Sequence, residues 1–532
     1  MEKRYQTLLI LLVILSISLT FRIWNLETIP HWYWDEGVNM NIAWNLANGK
    51  MQWFCIRYAF VPHPPLFFII AGIALKLFGN ELLVLRGLTA LYGVLTTLIL
   101  YFVGRDLFDR RMGLLTSLLY AVYPTAIYFN RMAFANNQVM FFSVLTMYFL
   151  IRYLKEKRWI WFYLLSISAG LSVITEIMGF GVLFSIIVLF WVYDRGNVPK
   201  VSLISVSFFA IFVGSMLLIT PDAFIHDILH SSGRFSFPVA FSAIAVILFI
   251  VFKPSCLEGV YKKILYIYSP IFGEIEKNAP LFYILASLIL IIFPPSDELF
   301  VIGFDFYWFG LVGFYLMKNQ KARNIALTFF LASFLILLGL NRADHMLIPI
   351  YPLLCIGLAV LLSSVFDLSQ IHLSRKIKNR VKIFFISMLL MLYPVGIILY
   401  YDFDAFINKN LLFEEDLEMR RAAADFINSN VSERDVVLAD SHLTRMINCK
   451  SSVLIQSAAF EGRAIAYMPS NLSKDRFLFN CSYRNAKFIV TVKGIREWAM
   501  NQTALVEMMN EIQNWSTNEI NNYLIYRNPH ID

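Results

Sequence analysis

Long apolar runs separated by short polar segments make up most of the first 400 residues of this chain. Most runs hold about 17–25 residues with few charges, the length that a helix needs to cross a bilayer. The pattern predicts thirteen spanning helices, at residues 6–24, 81–103, 112–129, 136–152, 159–175, 178–193, 200–220, 236–252, 279–294, 299–317, 324–341, 346–366 and 382–401. The first run lacks an obvious small-residue cleavage site, so we interpret it as a retained helix rather than a signal peptide.

One apolar run does not fit this pattern. Residues 66–79 number only 14, include Lys76 and follow Pro64 and Pro65. A segment of this length with a proline start is typical of an interfacial or re-entrant helix. We therefore place it in the membrane interface, because counting it as a span would reverse the side of every later loop.

The pattern changes after Tyr401. Segments with helical and strand periodicity alternate there, which predicts a small α/β domain over residues 402–532 beside a transmembrane domain over residues 1–401. The segments 414–430 and 496–515 predict helices, and 435–440, 452–456, 487–493 and 522–528 predict strands. All five N-x-S/T sequons lie in this region, which fits an extracytoplasmic location, at Asn430, Asn471, Asn480, Asn501 and Asn514.

Composition and charge agree with a multi-pass membrane protein. The chain is 58% hydrophobic and only 15% charged, which excludes an ordinary soluble enzyme. Its net charge of +8 divides into +11 for residues 1–401 and −3 for residues 402–532. The positive charges concentrate in alternate short loops, which by the positive-inside rule are cytoplasmic. This predicts a cytoplasmic N-terminus and an extracytoplasmic C-terminal domain, in a cell or endoplasmic-reticulum-type membrane. We see no nucleic-acid motif.

The first outer loop, residues 25–80, carries two adjacent carboxylates, Asp35 and Glu36. Residues 36–49 show a helical stripe of apolar positions, so Asp35 is predicted at the N-cap and Glu36 in the first turn. Free N–H groups and the helix dipole favour ionised carboxylates there. Asp35 could be only a cap, with the neighbouring Trp and Tyr side chains forming a headgroup belt. The physical chemistry alone does not choose between a cap and a functional site.

The five cysteines form no CxxC pair and no metal-ligand spacing. Cys449 and Cys481 both lie in the predicted extracytoplasmic domain and could form a disulfide. Free thiols are nearly as well supported.

Several motifs in their order resemble one known group of enzymes. They are WDEG at 34–37, HPPLFFIIAGIALKLFG at 63–79, NRMAFANN at 130–137 and RADHMLIPIYPLL at 342–354. This series resembles the GT-C superfamily of polyprenyl-phosphate-sugar glycosyltransferases, and most of all the protein O-mannosyltransferases and the lipid A aminoarabinose transferase. The resemblance covers roughly residues 1–400. It implies the GT-C fold and transfer of a sugar, with inversion, from a lipid-linked monophosphate to an acceptor hydroxyl on the outer membrane face.

The resemblance also implies roles for residues. Asp35 would be the general base that takes the proton of the acceptor hydroxyl, with Glu36 as its partner or as the group that positions the acceptor. Basic side chains at outer helix ends would bind the donor phosphate, because guanidinium groups match phosphate geometry. The candidates for this role are Arg131, Arg234, Arg342 and His345. Each could instead contact lipid headgroups.

The chain departs from the family pattern at three positions that would contact acceptor or sugar. Asn136 stands where many relatives have an acidic residue, Glu176 where relatives often have Lys, and His63 where a Lys often precedes the prolines. No cofactor is required by the pattern. Glu81 and His230 match positions that hold a divalent metal ion in some relatives, but two ligands are few. A salt bridge from Glu81 to Arg86 is the simpler account.

Other functions remain open at this point. A transporter or lipid flippase would carry intramembrane charges in repeated halves, and we see no repeat. An oligosaccharyltransferase-like enzyme shares the fold, but residues 402–532 contain no WWDYG-type motif. The expected partners are a polyprenyl-phosphate sugar, membrane lipid and an acceptor that is a protein, a lipid or a glycan. The sequence does not identify the sugar, which could be a hexose or a pentose.

Overall fold

The fold was analysed on a computed structural model. It describes residues 2–27, 30, 33–232, 305–339, 344–368, 417–463, 468 and 471–531. The spans predicted at 236–252, 279–294 and 382–401 lie outside these residues, as do Arg234 and Arg342.

Helices dominate the part of the chain before residue 369. Eleven of them precede residue 233: α1 (Glu2–Ile23), α2 (Trp34–Ala47), α3 (Leu66–Phe78), α4 (Leu82–Leu107), α5 (Arg110–Ala121), α6 (Pro124–Asn130), α7 (Asn136–Glu156), α8 (Trp159–Val173), α9 (Gly179–Tyr193), α10 (Val198–Ile219) and α11 (Pro221–Ser232). Three more lie in the described residues 305–339 and 344–368: α12 (Gly310–Leu316), α13 (Gln320–Gly339) and α14 (Tyr351–Leu368). A short β-hairpin, β1 (Gln52–Trp53) and β2 (Ile56–Arg57), lies between α2 and α3.

The apolar helices agree with a multi-pass membrane protein. Within the described residues, four helices are long and apolar enough to cross a bilayer, in Tyr5–Ile23, Leu82–Leu107, Arg195–Ile219 and His345–Ser364. Large apolar side chains such as Leu9, Leu203 and Leu218 are exposed on two of these helices, as expected of a surface that faces lipid.

One predicted span is wrong in its shape. The segment 112–129 is not a single helix but α5 and α6, which are bent by 62° relative to each other. Pro124 begins α6, and a proline lacks the N–H and the space that a continuous helix needs. The break lies directly before the NRMAF segment, so α6 turns Arg131 and the residues after it towards α2.

The short helix α3 forms as the apolar run predicted, and it packs closely against α2. A Cβ on Gly72 of α3 would lie 2.6 Å from the carbonyl oxygen of Ala43, so only glycine permits this approach. The pair α2–α3 and the residues between them share a buried core with α4 and the end of α10. This core gives α2, and with it Asp35, a fixed support.

The C-terminal region, residues 417–531, contains a mixed five-stranded sheet. Its strands are β3 (Val436–Leu438), β4 (Lys450–Ser452), β5 (Phe488–Val492), β6 (Ser516–Ile520) and β7 (Tyr523–Arg527), in the order β4-β3-β5-β7-β6. Helices α15 (Leu417–Asn428), α16 (Leu454–Phe460), α17 (Lys493–Met500) and α18 (Thr503–Ile512) accompany it. The strand predicted at 452–456 is wrong for most of its length, since the chain turns into α16. The helix predicted at 496–515 is two helices, and β6 was not predicted.

The turn of the β1–β2 hairpin packs into the core of the C-terminal region, although the hairpin belongs to the first outer loop. Phe54, Cys55 and Ile56 are buried in one hydrophobic cluster with residues of β3, α16 and α18. The backbone N–H of Leu478 donates to the carbonyl of Cys55 at 2.8 Å. The first outer loop and the C-terminal region are therefore packed as one unit.

Candidate functional site

The candidate site is built around the N-terminal turn of α2. Tyr33, not Asp35, is the N-cap residue, and Asp35 and Glu36 occupy the second and third helical positions. The predicted N-cap position of Asp35 is thus wrong by two residues. Its half-buried side chain keeps contact with solvent.

Glu36 is fully buried and forms an ion pair with Arg86 of α4. Arg86 Nη2 lies 2.7 Å from Glu36 Oε2, and Arg86 Nε lies 2.9 Å from Glu36 Oε1. Neither side chain is exposed to solvent. The backbone N–H groups of Tyr33 and Ala133 also donate to this carboxylate, at 3.0 and 2.8 Å. Arg86 therefore pairs with Glu36, and the bridge to Glu81 considered from the sequence is wrong.

These four donors give Glu36 a scaffolding role. They connect three parts of the chain, namely the N-cap of α2, helix α4 and the turn that follows α6. Asn39 adds a further link, because its Nδ2 donates to the carbonyl of Ala133 at 2.9 Å. Of the two adjacent carboxylates, Asp35 is therefore the one that is accessible to a substrate. Sequence inspection missed the pairing of Arg86 with Glu36 because 50 positions separate the two residues.

Arg131 is 1% exposed and lies behind α2. Its guanidinium donates to the carbonyls of Phe21, Trp24 and Asn25, at 2.9, 2.5 and 3.3 Å. These carbonyls belong to the end of α1 and the turn after it, so Arg131 caps that helix. Its predicted contact with a donor phosphate remains a prediction.

His63 and Glu176 form a pair within electrostatic reach of Asp35. His63 Nδ1 lies 2.7 Å from Glu176 Oε2, with the His63 side chain 43% exposed and that of Glu176 almost buried. Burial opposes the charged imidazole, but the carboxylates of Glu176 and then Asp35 outweigh it and raise the pKa of His63. Two of the three departures from the family pattern are therefore coupled, because His63 and Glu176 form a pair with each other.

Two further predicted residues lie nearby. The ring of His345 stacks on Phe134 with centroids 4.6 Å apart, and Phe134 meets Tyr33 edge to face at 5.6 Å. This chain of rings brings His345 to the N-cap of α2. Asn136 is the first residue of α7 and is buried.

The proposed metal ligands, Glu81 and His230, lie on different helices. Glu81 is the exposed N-cap residue of α4, and His230 lies near the end of α11. Among the residues that the structure describes, no group of three or more His, Cys, Asp or Glu side chains could hold a metal ion. A metal at Glu81 and His230 stays a prediction, because two side chains are too few to hold an ion.

The C-terminal region contacts the N-terminus of α2 through residues 440–442. Ser441 Oγ donates to the carbonyl of Trp34 at 2.8 Å, and His442 Nε2 lies 2.9 Å from the carbonyl of Tyr33. Burial, followed by the charges of Arg420 and Arg86, lowers the pKa of His442 well below its usual value. His442 is therefore neutral and donates through Nε2, so the turn fixes the backbone of the two residues directly before Asp35.

A second link lies at the other side of the loop. Arg476 forms a buried ion pair with Asp227 of α11, at 3.0 Å, and also donates to the carbonyl of Arg57 at 2.8 Å. Arg445 contacts Asn80 and lies over the ring of Trp44. Sequence reasoning missed all of these contacts, because each joins residues more than 200 positions apart.

The chain is similar to known proteins in part of its sequence and in its fold. The family model described as dolichyl-phosphate-mannose-protein mannosyltransferase matches residues 62–224. No curated protein is significantly similar to the chain in sequence.

Solved structures with similar folds include two membrane enzymes. The archaeal oligosaccharyltransferase AglB from Archaeoglobus fulgidus, solved with an inhibitory peptide and a dolichol-phosphate, matches with a TM-score of 0.57 and 15% identity, over 99% of this chain and 75% of that one. ArnT from Cupriavidus metallidurans, solved with undecaprenyl phosphate, matches with a TM-score of 0.55 and 12% identity, over 99% of this chain and 98% of that one. The chain therefore has the GT-C fold, and the predicted resemblance to the GT-C polyprenyl-phosphate-sugar transferases is confirmed as a similarity of fold and of residues 62–224.

Proposed function

We propose that this protein is an inverting glycosyltransferase that moves a sugar from a polyprenyl monophosphate to an acceptor hydroxyl on the outer membrane face. The relation to lipid-linked-sugar transferases supports the reaction class. The mannosyltransferase family model favours a dolichyl-type donor carrying a hexose. Two similar folds hold a dolichol-phosphate and an undecaprenyl phosphate, which favours a polyprenyl phosphate as the leaving group here.

The observation that carries the proposal is the different environment of the two adjacent carboxylates. Glu36 is buried and accepts hydrogen bonds from four donor atoms, whereas Asp35 is half-buried and remains accessible. A general base must reach the proton that it abstracts, so Asp35 is the carboxylate suited to the chemistry.

In the proposed reaction, the acceptor oxygen attacks the anomeric carbon while the bond to the phosphate breaks on the opposite face. Asp35 takes the hydroxyl proton, and the polyprenyl phosphate leaves as an anion. His63 lies within electrostatic reach of Asp35, and its pairing with Glu176 favours the charged imidazolium. This positive charge would stabilise the anion that develops during transfer. Arg234, Arg342 and His345 complete the proposed set of phosphate contacts.

An oligosaccharyltransferase-like reaction is the second candidate, favoured by the fold shared with AglB. That similarity concerns the fold, and residues 402–532 contain no WWDYG-type motif. A transferase that uses a monophosphate donor therefore remains the better-supported reaction.

The test uses purified full-length protein and membranes of cells that lack it as the source of acceptor. Radiolabelled mannose linked to a polyprenyl monophosphate should be incorporated into the protein or lipid fraction, with the Asp35→Asn variant as matched control. The same assay is run with a pentose on the same carrier and with a nucleotide-linked mannose after lipid carriers are removed. Efficient transfer from the nucleotide sugar alone would refute a lipid-linked donor.

A further inference from the structure

Two cysteines far apart in the sequence lie side by side in the structure. Cys55 belongs to the turn of the β1–β2 hairpin in the first outer loop, and Cys481 precedes β5 in the C-terminal region. Both are fully buried in the same hydrophobic cluster. All described cysteines are thiols in the structure. Cys449, which the sequence suggested as a partner of Cys481, is partly exposed, and its Sγ contacts the carbonyl of Lys450 instead.

The polar contacts of the two thiols converge on one residue, Gln456 of α16. The Cys55 Sγ lies 3.0 Å from Gln456 Oε1, and the Cys481 Sγ lies 3.6 Å from the Gln456 carbonyl oxygen. Ser452 Oγ approaches the Cys55 Sγ at 3.1 Å. Both sulfurs thus lie against the same residue, and the neighbouring Cys55 thiol, together with burial, raises the pKa of the Cys481 thiol. The side chains are thus already positioned next to each other.

The surrounding backbone holds this arrangement. The N–H of Leu478 donates to the carbonyl of Cys55 at 2.8 Å, and Ile56 forms a bridge with Phe477. The Gln456 amide group donates to the carbonyl of Trp53 at 2.8 Å. Contacts on both sides of Cys55 therefore fix its position relative to the segment that leads to Cys481.

We propose that Cys55 and Cys481 form a disulfide that joins the first outer loop covalently to the C-terminal region. Both thiols lie on the side of the membrane that the topology prediction places outside the cytoplasm, where disulfides form and persist. The proposal does not depend on the identity of the transferred sugar or of its acceptor.

The reaction is thiol–disulfide exchange with an external protein disulfide. The thiolate of one of the two cysteines attacks that disulfide to give a mixed disulfide. The thiolate of the other cysteine then attacks the sulfur of the first cysteine, and the external thiolate leaves. The two thiols lose two protons and two electrons, and the external disulfide is reduced to two thiols. In the folded protein the neighbouring Cys55 thiol and burial raise the pKa of Cys481, which makes the buried thiol unreactive. The bond therefore forms before α16 and the hairpin close over the two sulfurs, and burial then protects it from reductants.

Cys449 provides an internal control. It is partly exposed, and its Sγ contacts the carbonyl of Lys450. Burial raises its pKa to about 11, so it stays a thiol at neutral pH. A residue in the same compartment but without this pairing geometry should remain free.

The test is differential alkylation of the full-length protein made in its own membrane. Cells are quenched in denaturant with N-ethylmaleimide, which blocks free thiols, and the protein is then reduced, labelled with iodoacetamide and digested. Cys55 and Cys481 should carry the second label, and Cys449 should carry the first. A linked peptide containing both cysteines should appear when the reduction is omitted.

Single variants sharpen the assignment. Cys55→Ser should expose the Cys481 thiol to the first label, and Cys481→Ser should do the same to Cys55, whereas Cys449→Ser should change neither. The wild-type measurement decides the question even if a variant folds poorly. N-ethylmaleimide on both Cys55 and Cys481 of the wild-type protein would overturn the proposal, and so would a linked peptide that joins Cys481 to Cys449.

Discussion

Replacement of Glu36 by Gln should destabilise the protein rather than alter catalysis alone. The carboxylate accepts two hydrogen bonds at Oε1, from Arg86 Nε and the N–H of Ala133, and two at Oε2, from Arg86 Nη2 and the N–H of Tyr33. An amide can place its oxygen at only one of these positions. Its NH2 group would then face two donors, and the buried charge of Arg86 would lose its counterion.

The size of the effect follows from the burial of the pair. Both side chains are 0% exposed, so solvent does not screen the charge that remains. Removing one partner of such a pair costs about 3–5 kcal/mol. Since about 1.4 kcal/mol corresponds to a tenfold change in an equilibrium constant, the folding equilibrium should shift by about 10²–10³·⁵-fold.

The assay measures the fraction of detergent-solubilised protein that stays monodisperse after heating. Glu36→Gln should lose this fraction at a clearly lower temperature than the wild-type protein, and the double variant Glu36→Gln/Arg86→Met should recover part of the loss, because it removes both charges. Asp35→Asn is the matched control and should show wild-type heat resistance. If Glu36→Gln resisted heat like the wild-type protein and lost only transfer activity, the scaffolding role would be refuted.

Three more predictions concern the same site. Asp35→Asn should lower single-turnover transfer from radiolabelled lipid donor by roughly 10²–10⁴-fold with donor binding retained, and near-normal rates would leave the base unidentified. Because the pKa of His63 is raised above its usual value of 6.5, the stabilisation from its pair with Glu176 should be full below that pH and decline as pH rises through the raised pKa. Glu176→Gln should abolish this dependence of heat resistance on pH, and an unchanged profile would contradict the pairing. Gly37→Ala should displace the turn at Ser441, because a Cβ would lie 2.5 Å from Ser441 Oγ. Amide hydrogen exchange around α2 should then be faster than in the wild-type protein, and an unchanged exchange rate there would argue against the contact.

The sequence predicted what depends on local pattern. The apolar run after Pro65 predicted α3, and the WDEG segment predicted the start of a helix with Glu36 in its first turn. These features follow from periodicity and from local turn and capping preferences, which act over a few residues.

Contacts between distant segments could not be predicted in this way. The sequence offered Glu81 as the partner of Arg86 because it is near in the chain, yet the three-dimensional arrangement of α2 and α4 gives Glu36 instead. The same holds for Cys481, whose neighbour is Cys55 rather than the closer Cys449. Tertiary packing also overrides the local pattern at residues 454–456, which have a strand pattern but form the start of α16.

The burial of the β1–β2 hairpin in the C-terminal core has a consequence for biosynthesis. The ribosome makes residues 52–57 nearly 400 residues before the strands that surround them. Until those strands emerge, Phe54 and Ile56 have no core to enter, and the turn that holds the backbone around Asp35 is not yet made. The protein therefore completes its first outer loop only when its last segment has been translated and folded. A nascent chain that stops early carries every residue of the WDEG motif but not the framework that positions it.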